Sequence, residues 1–215
     1  MNRKAEIQRV TKETAITIKL NIDGKGSAKL EYPVGFMSHM LDTFARHGLF
    51  DIEVHAKGDL EVDQHHLVED TGIVLGQCFA KALGEKRGIR RNGSCLFPMD
   101  ECLARAAVDM SGRPFLYFDG QLSLSPLVSK PDGEAEQKFQ TDVIEDFWQG
   151  FVNAAGCNLH LEILRGRSDH HKIEAMFKAA SRALRCACEY DDRAKDSIPS
   201  TKGSLPGFDS PGVLV

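Results

Sequence analysis

Apolar and polar residues alternate along residues 13–24 and again along residues 101–112, and each stretch begins with a glutamate and closes with a glycine. This alternation favours a half-buried β-strand, and the glycine is typical of the turn that follows. The sequence therefore predicts a strand and a turn at both places. Their shared pattern is the first sign of an internal repeat.

Helical spacing of apolar residues appears next in residues 39–50, and it returns without gaps in residues 146–157. Each of these stretches precedes a short run that predicts a strand, residues 51–56 in the first half and 158–164 in the second. The order of the predicted elements is therefore the same in both halves.

A histidine pair opens a third matching stretch, HHLVE at 65–69 and HHKIE at 170–174. Each pair begins a long helical pattern. The first pattern runs to about Leu83 and stops at Gly84, a usual helix end, and the second runs to about Glu189.

Each half thus reads strand, strand, helix, strand, helix, which predicts an α+β fold of two fused similar half-domains. Each half-domain would be a sheet of four strands or fewer, with two helices packed on one face. A turn signal, RNGS, marks the boundary between them. We therefore expect a first half-repeat over residues 1–92, a second over 93–193 and a C-terminal tail over 194–215.

Two segments predict little buried core. Residues 120–141 are polar with two prolines, which indicates a mobile surface excursion. The tail is rich in Pro, Gly and Ser, and we expect it either to be flexible or to become ordered over a bound substrate.

Composition narrows the class of protein. The chain has 215 residues, of which 42% are hydrophobic, enough for a globular core, and its formal net charge is -4. A nucleic-acid binder needs a basic excess for its phosphate contacts, so this class is disfavoured. The chain shows neither a signal peptide nor an apolar run of roughly 18 residues. We expect a cytoplasmic protein with a small-molecule substrate and no nucleic-acid or membrane partner.

The six cysteines lack the dense spacing of a secreted disulfide scaffold, so we expect reduced thiols. Cys186 and Cys188 also fit a C-x-C metal pair. They directly follow a helical pattern, however, and a structural role is the favoured interpretation.

The histidine pairs are the strongest chemical signal. An α-helix turns about 100° per residue, so His65 and Glu69 project about 40° apart, whereas His66 points about 100° away from His65. One helix can therefore serve two metal ions, and the HHKIE stretch repeats this geometry. Imidazole and carboxylate donors suit manganese, iron or zinc.

His39 and Asp146 occupy equivalent positions in the two repeats. Because His39 is a further ligand candidate, the repeat raises the question whether Asp146 is one too. A carboxylate oxygen can replace an imidazole nitrogen on a hard ion such as manganese. The alternative is that Asp146 is an N-terminal helix charge or cap, a position that favours aspartate.

Several separated motifs resemble the imidazoleglycerol-phosphate dehydratase family of histidine biosynthesis. In chain order they are SHMLDTFARHGLFD (38–51), DQHHLVEDTG (63–72), RNGS (91–94), DMSGRP (109–114), LHLEILRGRSDHHKIEAMFKA (159–179) and IPSTKG (198–203). The resemblance spans nearly the whole chain. It implies two fused halves of the ribosomal protein S5 domain 2-like type and a homo-oligomer of about 24 subunits built from trimers. It also implies active sites at subunit interfaces, each with two manganese ions.

Carried over by position, the resemblance implies two sets of metal ligands. The first set is His39, His66, His170 and Glu174, and the second is His65, Glu69, His171 and Asp146. Many members of the family carry histidine at the last position. The departure puts the affinity or metal preference of the second site in question.

The resemblance also implies how substrate is held. Basic and hydroxyl groups would bind its phosphate: Arg91, Arg113, Lys178, Ser200, Thr201 and Lys202. The ligand histidines and Glu69 would also contact substrate, and His47 lies in a substrate-contacting stretch. The tail motif would close over the phosphate.

The implied reaction eliminates water from D-erythro-imidazole-glycerol phosphate to give imidazole-acetol phosphate, through an imidazolate bound to two manganese ions. A carboxylate must remove a proton from carbon. Glu13 matches a substrate-contacting glutamate of the family and is the predicted base, with an exposed strand-edge carboxylate as the alternative. Glu69 and Glu174 are the other catalytic candidates.

Other functions could use the same ligands. A metal-storage shell would need the histidines and glutamates but neither the phosphate-binding set nor Glu13. A binuclear metallohydrolase would attack a phosphate ester or amide with metal-bound hydroxide. A diverged dehydratase made slow by Asp146 is the third alternative.

Overall fold

The fold is described by a computed structural model over residues 3–123, 125–129, 136–195 and 197–206. Its first half contains four strands and two helices. These are β1 (Lys4–Val10), β2 (Thr14–Asn21), β3 (Ala28–Glu31), α1 (Gly35–Gly48), β4 (Asp51–Gly58) and α2 (His65–Leu83).

The second half repeats this order and adds two short strands. Its elements are β5 (Asn92–Met99), β6 (Cys102–Asp109), β7 (Phe115–Asp119), β8 (Leu127–Ser129), β9 (Gln137–Phe139), α3 (Val143–Ala155), β10 (Asn158–Arg165) and α4 (Asp169–Cys188). The alternating burial of β2 and β6 shows one face of each strand turned to the core.

The two large sheets have the same topology. Strand order is β1-β2-β4-β3 in the first sheet and β5-β6-β10-β7 in the second. In each sheet three strands are antiparallel neighbours, and the last edge strand, β3 or β7, runs parallel to its partner. The predicted α+β fold of two similar halves is confirmed. The sequence predicted two strands before the first helix of each half, whereas each large sheet has three there and the second half adds β8 and β9.

Helices from opposite halves pack against each other between the sheets. Helix α2 covers β1 and β2 and contacts α3, while α4 covers β5 and β6 and contacts α1. The contact between α2 and α3 is close at Gly72, where a Cβ atom would lie 2.1 Å from the Phe147 carbonyl oxygen. These helix pairs bring residues of the two repeats together.

The segment over residues 120–141 is partly built into the fold. Strands β8 and β9 pair antiparallel, and Phe139 is buried. The Gln64 amide donates to the Lys138 carbonyl at 2.7 Å, which ties this segment to the start of α2. These residues are therefore more than a connecting loop, because a buried aromatic side chain anchors β9. The mobility of the segment stays a prediction. Residues 124 and 130–135 lie outside the described residues.

Residues 197–206 of the tail lie against the segment that ends the first half, after α2. The backbone N–H of Gly88 donates to Ser197, and the Lys86 amine donates to the Pro206 carbonyl at 3.0 Å. The predicted tail includes residues 207–215, which lie outside the described residues. The division at residues 92, 93 and 194 stays a prediction.

All six cysteines are free. Cys186 is partly exposed and accepts a hydrogen bond from Arg90, whereas Cys188 is buried and has its pKa raised to about 12 by burial. A buried neutral thiol fits the structural interpretation of this pair. Within the described ranges, none of the helices is long and apolar enough to cross a membrane.

Candidate metal centre

Each histidine pair stands at the start of a helix because a polar side chain just before it accepts a backbone N–H. Asp63 accepts from the N–H of His65 at 2.8 Å, and the Ser168 hydroxyl accepts from the N–H of His171 at 3.4 Å. Such capping satisfies donors that have no partner within the helix. The imidazoles are therefore presented at the ends of α2 and α4.

One cluster of metal-ligand donors joins the first half to the second. His39 on α1 meets His170 and Glu174 on α4, and their donor atoms all lie within 4.8 Å of one another. The Glu174 Oε2 atom is 3.5 Å from His39 Nε2 and 3.2 Å from His170 Nε2. The spacing of four residues between His170 and Glu174 puts both on one helix face.

Glu174 is a buried carboxylate, 8% exposed, with its other oxygen 2.7 Å from the Lys178 amine. Burial by itself would raise the pKa of Glu174. The hydrogen bond and charge of Lys178, together with His39, outweigh burial and lower it. Glu174 is therefore ionised and can serve as a ligand.

A second cluster joins α2 to α3. His65 Nε2 lies 3.6 Å from Glu69 Oε2, and His65 Nδ1 lies 3.3 Å from Asp146 Oδ2. Helix α3 begins at Val143, with Asp142 at the N-cap position, so Asp146 is not the cap. Its charge still suits the first turn of a helix, while its carboxylate reaches His65 in the other half.

The second histidine of each pair has a different partner. His66 Nδ1 lies 3.1 Å from Asp59 Oδ2, and His171 Nδ1 lies 2.9 Å from Glu101 Oε2. One chain therefore brings three members of the first predicted set, His39, His170 and Glu174, within 4.8 Å of one another. In the second set His65 contacts Glu69 through Nε2 and Asp146 through Nδ1. The remaining histidine of each set lies beside another carboxylate. The ligand roles stay predictions.

Glu13 lies in the turn before β2 and is exposed. Its carbonyl accepts from the N–H of Asp59 at 3.1 Å, and both residues line a groove of about 320 Å³. Among the residues that the structure describes, no hydrogen bond or salt bridge involves its carboxylate. A free carboxylate next to the loop that holds His66 can still accept a proton.

Glu101, the repeat counterpart of Glu13, is fully engaged. Its carboxylate accepts from the backbone N–H groups of Ser168 at 2.9 Å and Arg167 at 3.4 Å, and it contacts His171. These hydrogen bonds, led by that of Ser168 and then His171, hold the pKa of Glu101 well below its usual range. The two equivalent glutamates therefore differ in chemical availability.

The predicted phosphate-binding residues fall into two groups. Lys178 lies beside Glu174 on α4. The Arg91 guanidinium contacts both Asp109 oxygens, at 2.7 and 2.9 Å, and donates to the Pro199 carbonyl at 2.8 Å. The remaining members are partly or fully exposed: Arg113, Ser200, Thr201 and Lys202.

His47 lies near the first cluster with an arginine that the sequence analysis missed. Its ring meets Phe97 edge to face at 5.4 Å, and Arg182 lies 5.3 Å above the same Phe97 ring. Burial, then the charges of Lys178 and Arg182, lower the pKa of His47. The signal for Arg182 was its spacing of four residues from Lys178 on α4. Asp59 and Glu101 were missed as histidine partners as well.

The chain consists of two similar α+β halves, and each half has a His-His-x-x-Glu helix beside further carboxylates. These features define a class of metal-dependent enzymes built on a repeated half-domain. Imidazoleglycerol-phosphate dehydratase is the family whose sequence profile matches, over residues 33–184. The chain belongs to this family.

Curated relatives and solved structures carry the same family name. Imidazoleglycerol-phosphate dehydratase of Acinetobacter baumannii strain AYE is 50% identical over 203 residues, 94% of this chain and 96% of the relative. That of Paraburkholderia xenovorans is 51% identical and is covered over its full length. The crystal structure from Staphylococcus aureus aligns with a TM-score of 0.73 and 36% identity, over 87% of this chain and 99% of the other. The crystal structure from Pyrococcus furiosus aligns with a TM-score of 0.74 and 29% identity, over 93% of this chain and 100% of the other.

Proposed function

We propose that this chain is a hydro-lyase that converts D-erythro-imidazole-glycerol phosphate into imidazole-acetol phosphate in histidine biosynthesis. The observation that carries the proposal is the cluster of His39, His170 and Glu174 made across the two repeats, in a member of this family. The contacts of His65 with Glu69 and Asp146 support it. Full-length similarity to relatives of that name supports the same reaction. We further propose that it acts in the cytoplasm.

We propose two manganese ions per active site as cofactor. The donors are imidazole nitrogens and carboxylate oxygens, a set without thiolate that suits this hard ion. Donor atoms within 4.8 Å of one another in the first cluster are close enough to share an ion after small side-chain adjustments. Bound ions would supply the Lewis acidity that lowers the pKa of the substrate's ring N–H.

Glu13 is the proposed base that removes a proton from the substrate carbon. Its carboxylate is exposed and has no hydrogen-bonding partner in the described part of the chain, so its lone pairs are available, and a base must reach its proton directly. Asp59 shares the groove with Glu13 and contacts His66, so the base lies on the same surface as a predicted metal ligand. Glu101 is unsuited to this role because it is bound by two N–H groups and His171.

Lys178 is proposed to bind phosphate while keeping Glu174 ionised. Its ammonium is 2.7 Å from Glu174 and is partly accessible, so it can also approach a phosphate oxygen beside the first cluster. Arg91 and Arg113, with the tail residues Ser200, Thr201 and Lys202, form the second basic group. We propose that the two groups act on one phosphate when subunits assemble.

We propose a homo-oligomer with active sites between subunits, of about 24 subunits built from trimers. The support is that within one chain the second histidine of each His-His pair has a carboxylate partner outside its predicted ligand set. His66 and His171 lie beside Asp59 and Glu101, so a neighbouring subunit can supply each of them to a cluster. The sheets also leave large residues exposed, such as Leu96 and Phe115, that an assembly can cover.

A product assay tests the function. The manganese-loaded protein is incubated with imidazoleglycerol phosphate, with and without a chelator. We expect imidazole-acetol phosphate to form and its formation to stop when the metal is removed. Release of inorganic phosphate would instead identify a metallohydrolase, and retained metal without turnover would favour a storage shell.

A further inference from the structure

The second histidines of the two pairs, which are equivalent in the repeat, each contact a carboxylate. The two carboxylates, however, do not occupy equivalent positions in the repeat. Asp59 lies after β4 and contacts His66 Nδ1 at 3.1 and 3.3 Å. Glu101 lies in the turn between β5 and β6 and contacts His171 Nδ1 at 2.9 Å. The same ring nitrogen is held in both halves, although Glu101 aligns with Glu13 rather than with Asp59.

A carboxylate oxygen only accepts hydrogen bonds, so the proton of a neutral imidazole must lie on the Nδ1 atom that faces it. The lone pair then remains on Nε2. For His171, the nearest charged atom to Nε2 is Asp100 Oδ2 at 4.0 Å, beyond hydrogen-bonding distance. Nε2 is therefore available to a ligand.

We propose that Asp59 and Glu101 are positioning residues that fix His66 and His171 with Nε2 presented to a metal ion. The proposal rests on the function proposed above. Histidine ligands in metalloproteins commonly donate their other ring N–H to a carboxylate, which fixes the ring and makes it a better ligand. Here that partner is in place in each half.

The surroundings of the two carboxylates favour a fixed geometry. Glu101 is anchored by the N–H groups of Ser168 and Arg167, so it cannot swing away from His171. Asp59 is tied at its backbone, where its N–H donates to Glu13 and its carbonyl accepts from Val62 at 2.8 Å. Both rings are therefore held from structured turns.

The two carboxylates serve different ligand sets, so their effects are separable. His66 belongs to the set with His39, and His171 to the set with His65. Asp59→Asn should therefore weaken only one class of manganese site and Glu101→Gln only the other. Loss of such a partner costs about 10 to 100-fold in metal affinity.

The test is a manganese titration of the whole protein followed by electron paramagnetic resonance of the free ion. We expect two classes of site in the wild type, a 10 to 100-fold weaker class in each variant and both classes weakened in the double variant. Asp59→Glu, which keeps a carboxylate, should restore most of the affinity. Glu162→Gln is the matched control, because it removes a carboxylate that pairs with Arg105 on the open sheet face.

A second readout does not depend on metal. In metal-free protein labelled with ¹⁵N-histidine, the ring shifts should show Nδ1–H for His66 and His171, and Glu101→Ala should release that preference at His171 alone. Unchanged affinity in both variants, or weakening of the same class by both, overturns the positioning role. A wild type that binds no manganese overturns the proposed function itself, so the two failures are distinguishable.

Discussion

Asp146 Oδ2 lies 3.3 Å from Nδ1 of His65, and this contact joins the first turn of α3 to the first turn of α2. The repeat puts His39 at the equivalent place, where it approaches Glu174 through Nε2. The aspartate thus keeps a donor atom at the cluster while changing it from nitrogen to oxygen. This is a direct consequence of packing helices from opposite repeats.

Asp146→Ala should lose about one of the two bound manganese ions, because an oxygen donor disappears from the second set. Asp146→His should retain both, because imidazole suits the same ion. Metal content after desalting, measured by mass spectrometry, checks this. Asp142→Ala is the control, since the Asp142 side chain makes no cap hydrogen bond. Full retention by Asp146→Ala would mean that the carboxylate only orients His65.

Glu13→Gln should lower turnover by about 10² to 10⁴-fold, the usual contribution of general base catalysis. Metal content should stay the same, because the Glu13 carboxylate has no hydrogen bond or salt bridge to any residue that the structure describes. The rate of imidazole-acetol phosphate formation is the measurement. Glu61→Gln, in the same groove, is the control. A variant with near-normal turnover would exclude Glu13 as the base.

Gly72→Ala should destabilise the fold by about 2 kcal/mol or more, because the added methyl group would overlap the Phe147 carbonyl where α2 and α3 touch. The better helix propensity of alanine offsets only part of this cost. Thermal unfolding of the metal-free protein measures the change. Gly35→Ala is the control, since its Cβ would meet only the Gln137 side chain at 3.4 Å. Equal Tm values for both variants would contradict the prediction.

The stability of the fold should depend on pH through the carboxylate of Asp51. Partial burial would raise its pKa, but hydrogen bonds from Lys25, Ser27 and Asn21 lower it to about 2. The unfolded value is about 4, so the stabilisation is complete above that pH and is lost as the pH falls towards 2. It should be about 1 kcal/mol, because the group is partly solvated.

Chemical denaturation of Asp51→Asn and wild type at several pH values tests this. The difference in unfolding free energy should be largest above pH about 4 and should vanish near pH 2. Asp42→Asn, on the exposed face of α1, is the control. A difference that stays constant down to pH 2 would show that the hydrogen-bonded carboxylate is not its source.

The periodic spacing of apolar residues predicted much of the fold. The limits of α2 at His65 and Leu83 agree with the pattern, because the apolar spacing and the glycine after it are local signals. The pattern gave bounds for β2, β4, β6 and β10 but not for the edge strands β3 and β7, and the reason is local too. Strand β3 has four residues, and β7 (FLYFD) does not alternate clearly between apolar and polar residues.

The candidate site could be predicted only in part. Helix geometry fixed the direction of each imidazole relative to its neighbours, which identified the histidines and glutamates. It did not reveal which carboxylate lies opposite His171, because Glu101 is 70 positions away in the sequence and meets it through folding. Arg91 shows the same limit, since its pairing with Asp109 depends on how β5 and β6 align.

Glu13 and Glu101 occupy equivalent positions but have different surroundings, so the two repeats have diverged at this position. Glu101 is bound by backbone N–H groups and His171, whereas Glu13 is exposed and is the proposed base, although both come from the same place in the repeat. A chimaera made of two second halves would therefore keep its histidine pairs yet have no unbound glutamate at either copy. Such a chain would be a metal carrier rather than a catalyst.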